Sequence, residues 1–312
     1  MENNPIDTLT HEQIFALMPE MRGCEIEVSE LKGGITNKLY RVRDGRSGDY
    51  VFRLYGKRTE MFIDREMEMK TMKLLEKIGI VPKLIKYLPE DCITVIEYID
   101  AYTLKNPDFL NEQLWEKIVR PVRLIHKSGV SISKIFDPLI ETKRLEKILF
   151  DITTRYTEFD INGTVKILER INERANISHT EYVICHNDLL AENFMLVKDE
   201  TRSGEPMYLI DWEYAGMNTF YYEFADMFQE ILVGRNIERK LIEIYWENAN
   251  IEYNVYMTEM FKPFPDIYWF LWSLIQLNVS TIQFDYYNYG KVKYENAQQN
   301  IKYLRENYSL KI

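Results

Sequence analysis

The sequence predicts an α+β chain in two lobes, a small strand-rich N-terminal lobe over residues 1–100 and a large helical C-terminal lobe over 101–312. Three observations predict it. At 312 residues the chain is longer than a single hydrophobic core usually serves. Apolar and polar residues alternate from Glu25 to Tyr55, the period of half-buried strands. From Asn111 onward, apolar residues recur at helical spacing in one segment after another.

Within the first lobe, Gly33-Gly34 and Asp44-Gly45 interrupt the alternation and divide it into three strands. "TEMFIDREMEMKTMKLLEKIG" then has the helical period, and Gly79 supplies its C-terminal stop. After Pro82 come apolar runs from Leu84 to Tyr87 and from Ile93 to Ile99, two more strands. The expected order is three strands, a helix and two strands, with the lobe boundary between Asp100 and Pro107. Amphipathic segments such as "NEQLWEKIVRPVRLIH", "RLEKILFDITTRY", "TVKILERINER" and "RKLIEIYWENA" fill the second lobe, apart from short strands at Tyr182 and Tyr208.

Composition narrows the function. With 46% hydrophobic and 28% charged residues, the chain reads as an ordinary soluble globular protein. Its longest apolar stretch, Tyr268 to Leu277, is too short to span a bilayer and contains Ser273 and Gln276. The opening "MENNPIDTLTHEQIF" lacks a basic n-region and an apolar h-region, and Cys24, Cys92 and Cys185 have no metal-ligand spacing. A cytoplasmic protein with reduced thiols is expected. The net charge of −10, with no basic block, argues against nucleic acid as a partner. That charge would attract a small cation, and it would equally serve solubility.

The chemistry concentrates in "CHNDLLAENFML" and "MYLIDWEYAG". Asp188 and Asn193 follow one short strand, and Asp211 ends another. Nucleotide-dependent phosphoryl transfer needs a carboxylate to orient an attacking hydroxyl and oxygen ligands to hold Mg²⁺ on the phosphates. The spacing Asp-x4-Asn followed by a strand-borne Asp matches the protein-kinase pattern, with Asp188 as base and Asn193 and Asp211 as metal ligands. Asp and Asn also form turn hydrogen bonds, the plainer account of each residue taken alone. In the first lobe, Gly33-Gly34 offers backbone N–H groups to phosphates, with Thr36 or Asn37 capping the turn. Arg53 lies in the following strand and Glu68 in the helix after it, where a phosphate-contacting cation and its carboxylate partner belong. Glu66 is a rival for that partner, and a surface ion pair is the plain alternative.

Taken in order, these segments resemble choline/ethanolamine kinases, within the wider group of kinase-like small-molecule phosphotransferases. "GGITNKLYRV", "VFRLYG", "HNDLLAEN" and "LIDWEYAG" carry the resemblance in general, and "YWFLWSLIQLNVSTIQFDYYNYGKVKY" carries it more particularly. The resemblance implies a two-lobed protein-kinase-like fold, ATP and Mg²⁺ as cofactors, and a small cationic amino alcohol as acceptor. It also implies a hinge at "VIEYID", where backbone groups of Glu97 and Ile99 hold adenine. Leu190 departs from the polar residue usual in the family's animal members, which puts substrate contacts near that loop in question.

Trp269 and Trp272 are spaced to share a helix face with Gln276, and with Tyr214 they would form an aromatic cage for an ammonium group. Aromatic residues at that spacing also suit a core. Glu213 and Asp226 are expected to add negative charge beside the cation, or to act as solvated or capping acids. His186 is expected to buttress its loop, and His126 to sit on a helix C-terminus. Rival readings are a phosphotransferase for an aminoglycoside, thiamine or a sugar, and a non-catalytic choline- or nucleotide-binding module. The intact Asp188, Asn193 and Asp211 oppose the second. Choline is not separated from ethanolamine, and formation of a homodimer stays open.

Overall fold

The computed structural model describes residues 9–31, 37–46, 48–55, 63–198, 207–280 and 282–311. The chain forms two compact units, Met1–Tyr102 with Val197–Glu213, and Thr103–Leu196 with Tyr214–Ile312. The chain first passes from one unit to the other after Tyr102. A division at residue 100 left Val197–Glu213 in the helical lobe, whereas this segment returns to the first unit and brings Asp211 and Glu213 with it. A sequence-distant bond ties it there: Leu209 N–H donates to the carbonyl of Ile80 at 2.8 Å.

In the first unit, helix α1 (His11–Leu17) precedes strands β1 (Glu27–Leu31), β2 (Asn37–Arg43) and β3 (Asp49–Tyr55), helix α2 (Arg65–Leu75), and strands β4 (Leu84–Leu88) and β5 (Ile93–Glu97). The strands form one antiparallel sheet in the order β1-β2-β3-β5-β4. Because side chains alternate along a strand, Phe52 and Leu54 enter a core with Tyr40, Val42, Ile93 and Val95, closed by Ile14 and Met18 around α1. Each side chain of the size of Phe52 that is fully buried there contributes roughly 1.5–3 kcal/mol. Arg53, between them, must face the other way. It stands opposite Thr94, whose Oγ1 lies 3.5 Å from Sδ of Met69 on α2. Gly79 takes φ +78° where the helical turn Glu76–Ile78 ends, the left-handed conformation expected of it.

The second unit is helical: α3 (Glu112–His126), α4 (Pro138–Ile152), α5 (Ile161–Ala175), α6 (Phe220–Ile231), α7 (Arg235–Tyr245), α8 (Ile251–Phe261), α9 (Pro263–Val279) and α10 (Tyr286–Tyr308). α9 is apolar around most of its circumference and is buried from Pro263 to Ile275, packed on α4 and α10. At Gly290 a Cβ would lie 2.0 Å from Ser273 Oγ, so α10 approaches α9 only because that residue is glycine. A short strand, Val183–Cys185, pairs antiparallel with Gly216–Asn218. Its end launches the loop that bears Asp188. No described helix is long and apolar enough to cross a membrane.

Candidate active site

In the first unit the geometry is organised by charge. Arg53 Nη1 donates to Glu68 Oε1 at 2.5 Å, and Nη2 donates to Asp211 Oδ1 at 2.6 Å and to Glu213 Oε2 at 2.7 Å. Glu68, and not its rival Glu66, is the partner; Glu66 pairs with Lys70 on an exposed face. Burial alone would lower the pKa of Arg53, but Asp211, Glu68 and Glu213 carry it well above the ordinary value. Burial, and then Asp211, push Glu213 up to about 7 against the pull of the two arginines beside it. A second guanidinium, that of Arg65, bonds Glu68 and Glu213 as well, at 2.8 and 2.9 Å. The sequence passed over Arg65, since a charged residue at a helix start has no distinguishing pattern.

Asp211 has φ +68°, a conformation uncommon outside glycine, and its side chain is 31% exposed while those of Glu68 and Glu213 are buried. It is therefore the acid of the three that solvent or an ion can reach. Oxygens of Glu68, Asp211 and Glu213 lie within 4.8 Å of one another, but those of Glu68 and Glu213 are taken by the two guanidinium groups, which leaves Asp211 as the hard donor open to a cation. In the segment expected to hold adenine, Glu97 N–H is already committed to the carbonyl of Lys83 at 2.9 Å, and Ile99 N–H has no backbone partner among the described residues. Gly33, Gly34 and Thr36 lie outside the described residues; Asn37 opens β2, opposite Tyr55.

In the second unit, backbone donors dominate. The loop His186–Leu189 presents three N–H groups to α6: His186 to Glu223 Oε1 and Asn187 to Glu223 Oε2, both at 2.7 Å, and Leu189 to Asp226 Oδ2 at 2.9 Å. Glu223 and Asp226 are three apart and share a helix face, which is why one helix grips the loop twice. Asn187, at φ +64°, donates from Nδ2 to Tyr214 O and accepts at Oδ1 from Asn218 Nδ2. Asn193 Nδ2 donates to the backbone oxygen of Asp188 at 2.8 Å, which turns its amide oxygen away from that carbonyl and leaves it suited to a hard cation.

Glu223 went unremarked in the sequence, although an acid in the apolar helix "FYYEFADMFQEI" signals a buried partner. Behind it, His126 Nε2 lies 3.6 Å from Glu223 Oε1, and Nδ1 is 2.7 Å from the Tyr245 hydroxyl. Buried in this way, His126 does more than face a helix dipole. Burial raises the pKa of Glu223, but His126 and the His186 N–H outweigh it and hold the carboxyl below the ordinary value. His126, Cys185 and Glu223 have ligand atoms within 4.8 Å of one another, yet both oxygens of Glu223 already serve backbone N–H groups, and burial keeps Cys185 a thiol.

Trp269 and Trp272 meet edge to face with centroids 5.8 Å apart, and Tyr214 stands 5.1 Å from Trp269. Tyr286 and Tyr289 extend this wall at 5.8 and 6.5 Å from Trp272, two residues that helical spacing alone did not single out. Burial first, then the charges of Glu230, Asp188 and Asp226, raise the pKa of Tyr289. Two expectations are corrected here. Asp226 is no open acid beside an ammonium: Oδ2 takes the Leu189 N–H and Oδ1 takes Trp269 Nε1–H at 2.9 Å. Glu213 belongs to the charge network of the first unit, with Oε2 shared by two guanidinium groups. A cavity of about 500 Å³ in the second unit is lined by Lys105, Asn106, Leu190, Glu192 and Glu230, which places Leu190 at an open surface. Glu230 in turn is paired with Lys293 at 2.5 Å.

A family model described as choline/ethanolamine kinase matches residues 28–256. The chain is 28% identical over 311 residues to ethanolamine kinase 2 of Mus musculus, covering 90% of this chain and 78% of that protein. It is 26% identical over 309 residues to the probable ethanolamine kinase of Arabidopsis thaliana, covering 90% and 81%. The solved structure of choline kinase LicA from Streptococcus pneumoniae matches with a TM-score of 0.75 at 24% identity, over 94% of this chain and 97% of that one. That likeness identifies the fold as protein-kinase-like.

Proposed function

Because the chain belongs to the choline/ethanolamine kinase family and is a kinase, we propose that it moves the γ-phosphoryl group of ATP directly onto the hydroxyl of choline or ethanolamine. The products are ADP and the phosphorylated amino alcohol. Asp188 orients the acceptor hydroxyl and takes up its proton as the P–O bond forms. Since phosphoryl transfer passes through a loose transition state, placing that oxygen in line matters more than base strength. Arg53, steadied by Glu68, turns its fork to phosphate oxygens. Asn193 and Asp211 would hold Mg²⁺, which when bound neutralises phosphate charge. Backbone groups at Glu97 and Ile99 receive adenine, the latter through the N–H that has no partner in the described fold. The faces of Tyr214, Trp269 and Trp272 surround the ammonium end of the acceptor.

One observation carries this reading. Asp226 bonds the loop at Leu189 N–H and the aromatic wall at Trp269 Nε1–H, so hydroxyl and cation subsites are fixed to a single carboxyl group. A catalytic base and an ammonium cage held at constant separation suit a short molecule with a hydroxyl at one end and a cation at the other. ADP release measured over a panel of amino alcohols, with and without Mg²⁺, tests it. Mg²⁺-dependent turnover of choline or ethanolamine is expected. Turnover of thiamine or an aminoglycoside with neither amino alcohol active would overturn it.

A further inference from the structure

We infer that Arg65 is a positioning residue of the nucleotide site, a second guanidinium that frees Asp211 from Arg53 for its work on the phosphates; this rests on the kinase reading above. Arg53 and Arg65 each bond both Glu68 and Glu213, closing a ring of two cations and two anions with every contact between 2.5 and 2.9 Å. With both acids ionised, that ring is neutral. Among the described partners of Arg53, Asp211 hangs outside the ring on Nη2 and is the partly exposed acid. If Asp211 turns toward a cation, Arg53 loses one partner and the ring stays balanced. Without Arg65, Arg53 alone would face three carboxylates, two of them buried, and could not leave Asp211 without stranding negative charge away from water.

The placement of Arg65 supports a role of this kind. It is the first residue of α2, directly after the N-cap Asp64, where the helix dipole disfavours a cation. Its position therefore needs partners, and Glu68, Glu213 and the Tyr55 ring 4.3 Å beneath its guanidinium supply them. Tyr55 follows Arg53 by two residues on β3 and shares its face, so Arg65 lies over the face from which Arg53 projects. Its contacts with Glu68 and Glu213 both come from a single nitrogen, Nη1. A lysine ammonium can serve two carboxylates from one point just as well, which gives the idea a sharp signature.

Arg65→Met, Arg65→Lys and Arg53→Met are compared with the wild-type chain by steady-state kinetics in both substrates, and by calorimetric titration with Mg²⁺ and a non-hydrolysable ATP analogue. For Arg65→Met we expect KM for MgATP to rise, and analogue affinity to fall, by about tenfold, with the amino-alcohol KM within about twofold of wild type. Arg65→Lys should recover most of the loss. A role confined to stability would lower the melting temperature while leaving nucleotide affinity alone, or would shift both KM values together; either result overturns the inference. If Arg65→Met does not fold, Arg65→Gln takes its place with the same readouts. Arg53→Met separates the two ideas. Unchanged analogue binding in that variant would sink the nucleotide-site assignment itself, whereas a loss in Arg53→Met with none in Arg65→Met would sink only the role given to Arg65.

Discussion

The two units bury carboxylates at their functional residues by opposite means. In the first, Glu68 and Glu213 are met by guanidinium groups on long side chains, which can exchange one anion for another. In the second, Glu223 and Asp226 are met by backbone N–H groups and an indole, donors fixed by the fold itself. On the proposed function, charge pairing suits residues that would accept and release a nucleotide carrying several negative charges. Fixed donors would suit residues that hold a hydroxyl within a fraction of an ångström of an attack line. Mutations should therefore shift binding on one side and geometry on the other.

The largest effect is expected where the fixed geometry acts on the reacting atom. Asp188→Asn should lower kcat by at least about two orders of magnitude, the upper range for a positioned base, while leaving the fold and MgATP affinity nearly unchanged. Circular dichroism and nucleotide titration alongside the rate assay check each part, and retained turnover would remove Asp188 from its role. Next comes the exchangeable side. Asp211→Ala should abolish Mg²⁺-dependent nucleotide binding, because Asn193 brings no charge to replace it. Unchanged affinity for MgATP by calorimetry would refute the metal assignment.

Legibility followed the same division. The strand-strand-strand-helix-strand-strand order was readable because strand and helix periods differ, and the order of Arg53, Glu68, Asp188, Asn193 and Asp211 was enough to suggest a kinase-like site, in which the pairing of Arg53 with Glu68 is seen. What escaped was whatever depends on contacts across the sequence. Helix α1 has a reciprocal cap between Thr10 and Gln13, but its seven residues are too few for a clear period. The return of Val197–Glu213 to the first unit rests on long-range pairing, such as that of Leu209 with Ile80, which leaves no local mark. Glu213 and Asp226 stayed open between acids beside a cation and solvated or capping acids, because sequence gives a charge and not the donor that satisfies it. Pattern reports which face is apolar, and partners must be seen.

A middle-sized effect is expected from the grip on the loop. Glu223→Gln keeps the shape and one acceptor oxygen but replaces the other with a donor facing an N–H, which should cost about 1–3 kcal/mol of stability and lower kcat more than either KM. The pH dependence has a definite sign. The folded-state pKa of Glu223 lies below the ordinary 4.5, so its contribution is fully present above that value and is lost as pH falls through the lower, folded value. The stability difference between wild type and Glu223→Gln should therefore hold at neutral pH and shrink below pH 4.5. Thermal melts of both proteins across that range measure it. A difference that grows on acidification would mean the carboxylate is not the form that holds the loop.

The smallest effect is expected at the aromatic wall, and it is the one that tests which cation the wall accepts. Trp272 lies between Trp269 on one side and Tyr286 and Tyr289 on the other, so its ring can offer a face to an ammonium or simply fill the core between α9 and α10. Its Nε1–H is buried and has no hydrogen-bond partner among the described residues, so polar contacts do not explain a tryptophan there. If the face binds the acceptor, Trp272→Ala should weaken choline by about 1–2 kcal/mol, roughly five- to thirty-fold in KM. Ethanolamine should lose less, since a primary ammonium is more strongly hydrated and prefers hydrogen-bond acceptors to ring faces, and the acids Asp226 and Glu230 are already bonded, to Trp269 and Lys293. On the same reasoning, wild-type protein should show a lower KM for choline than for ethanolamine, with MgATP barely affected by the substitution. Equal losses for choline, ethanolamine and MgATP would identify Trp272 as core packing, and the difference drawn between the two units would then rest on the loop and its two acids alone.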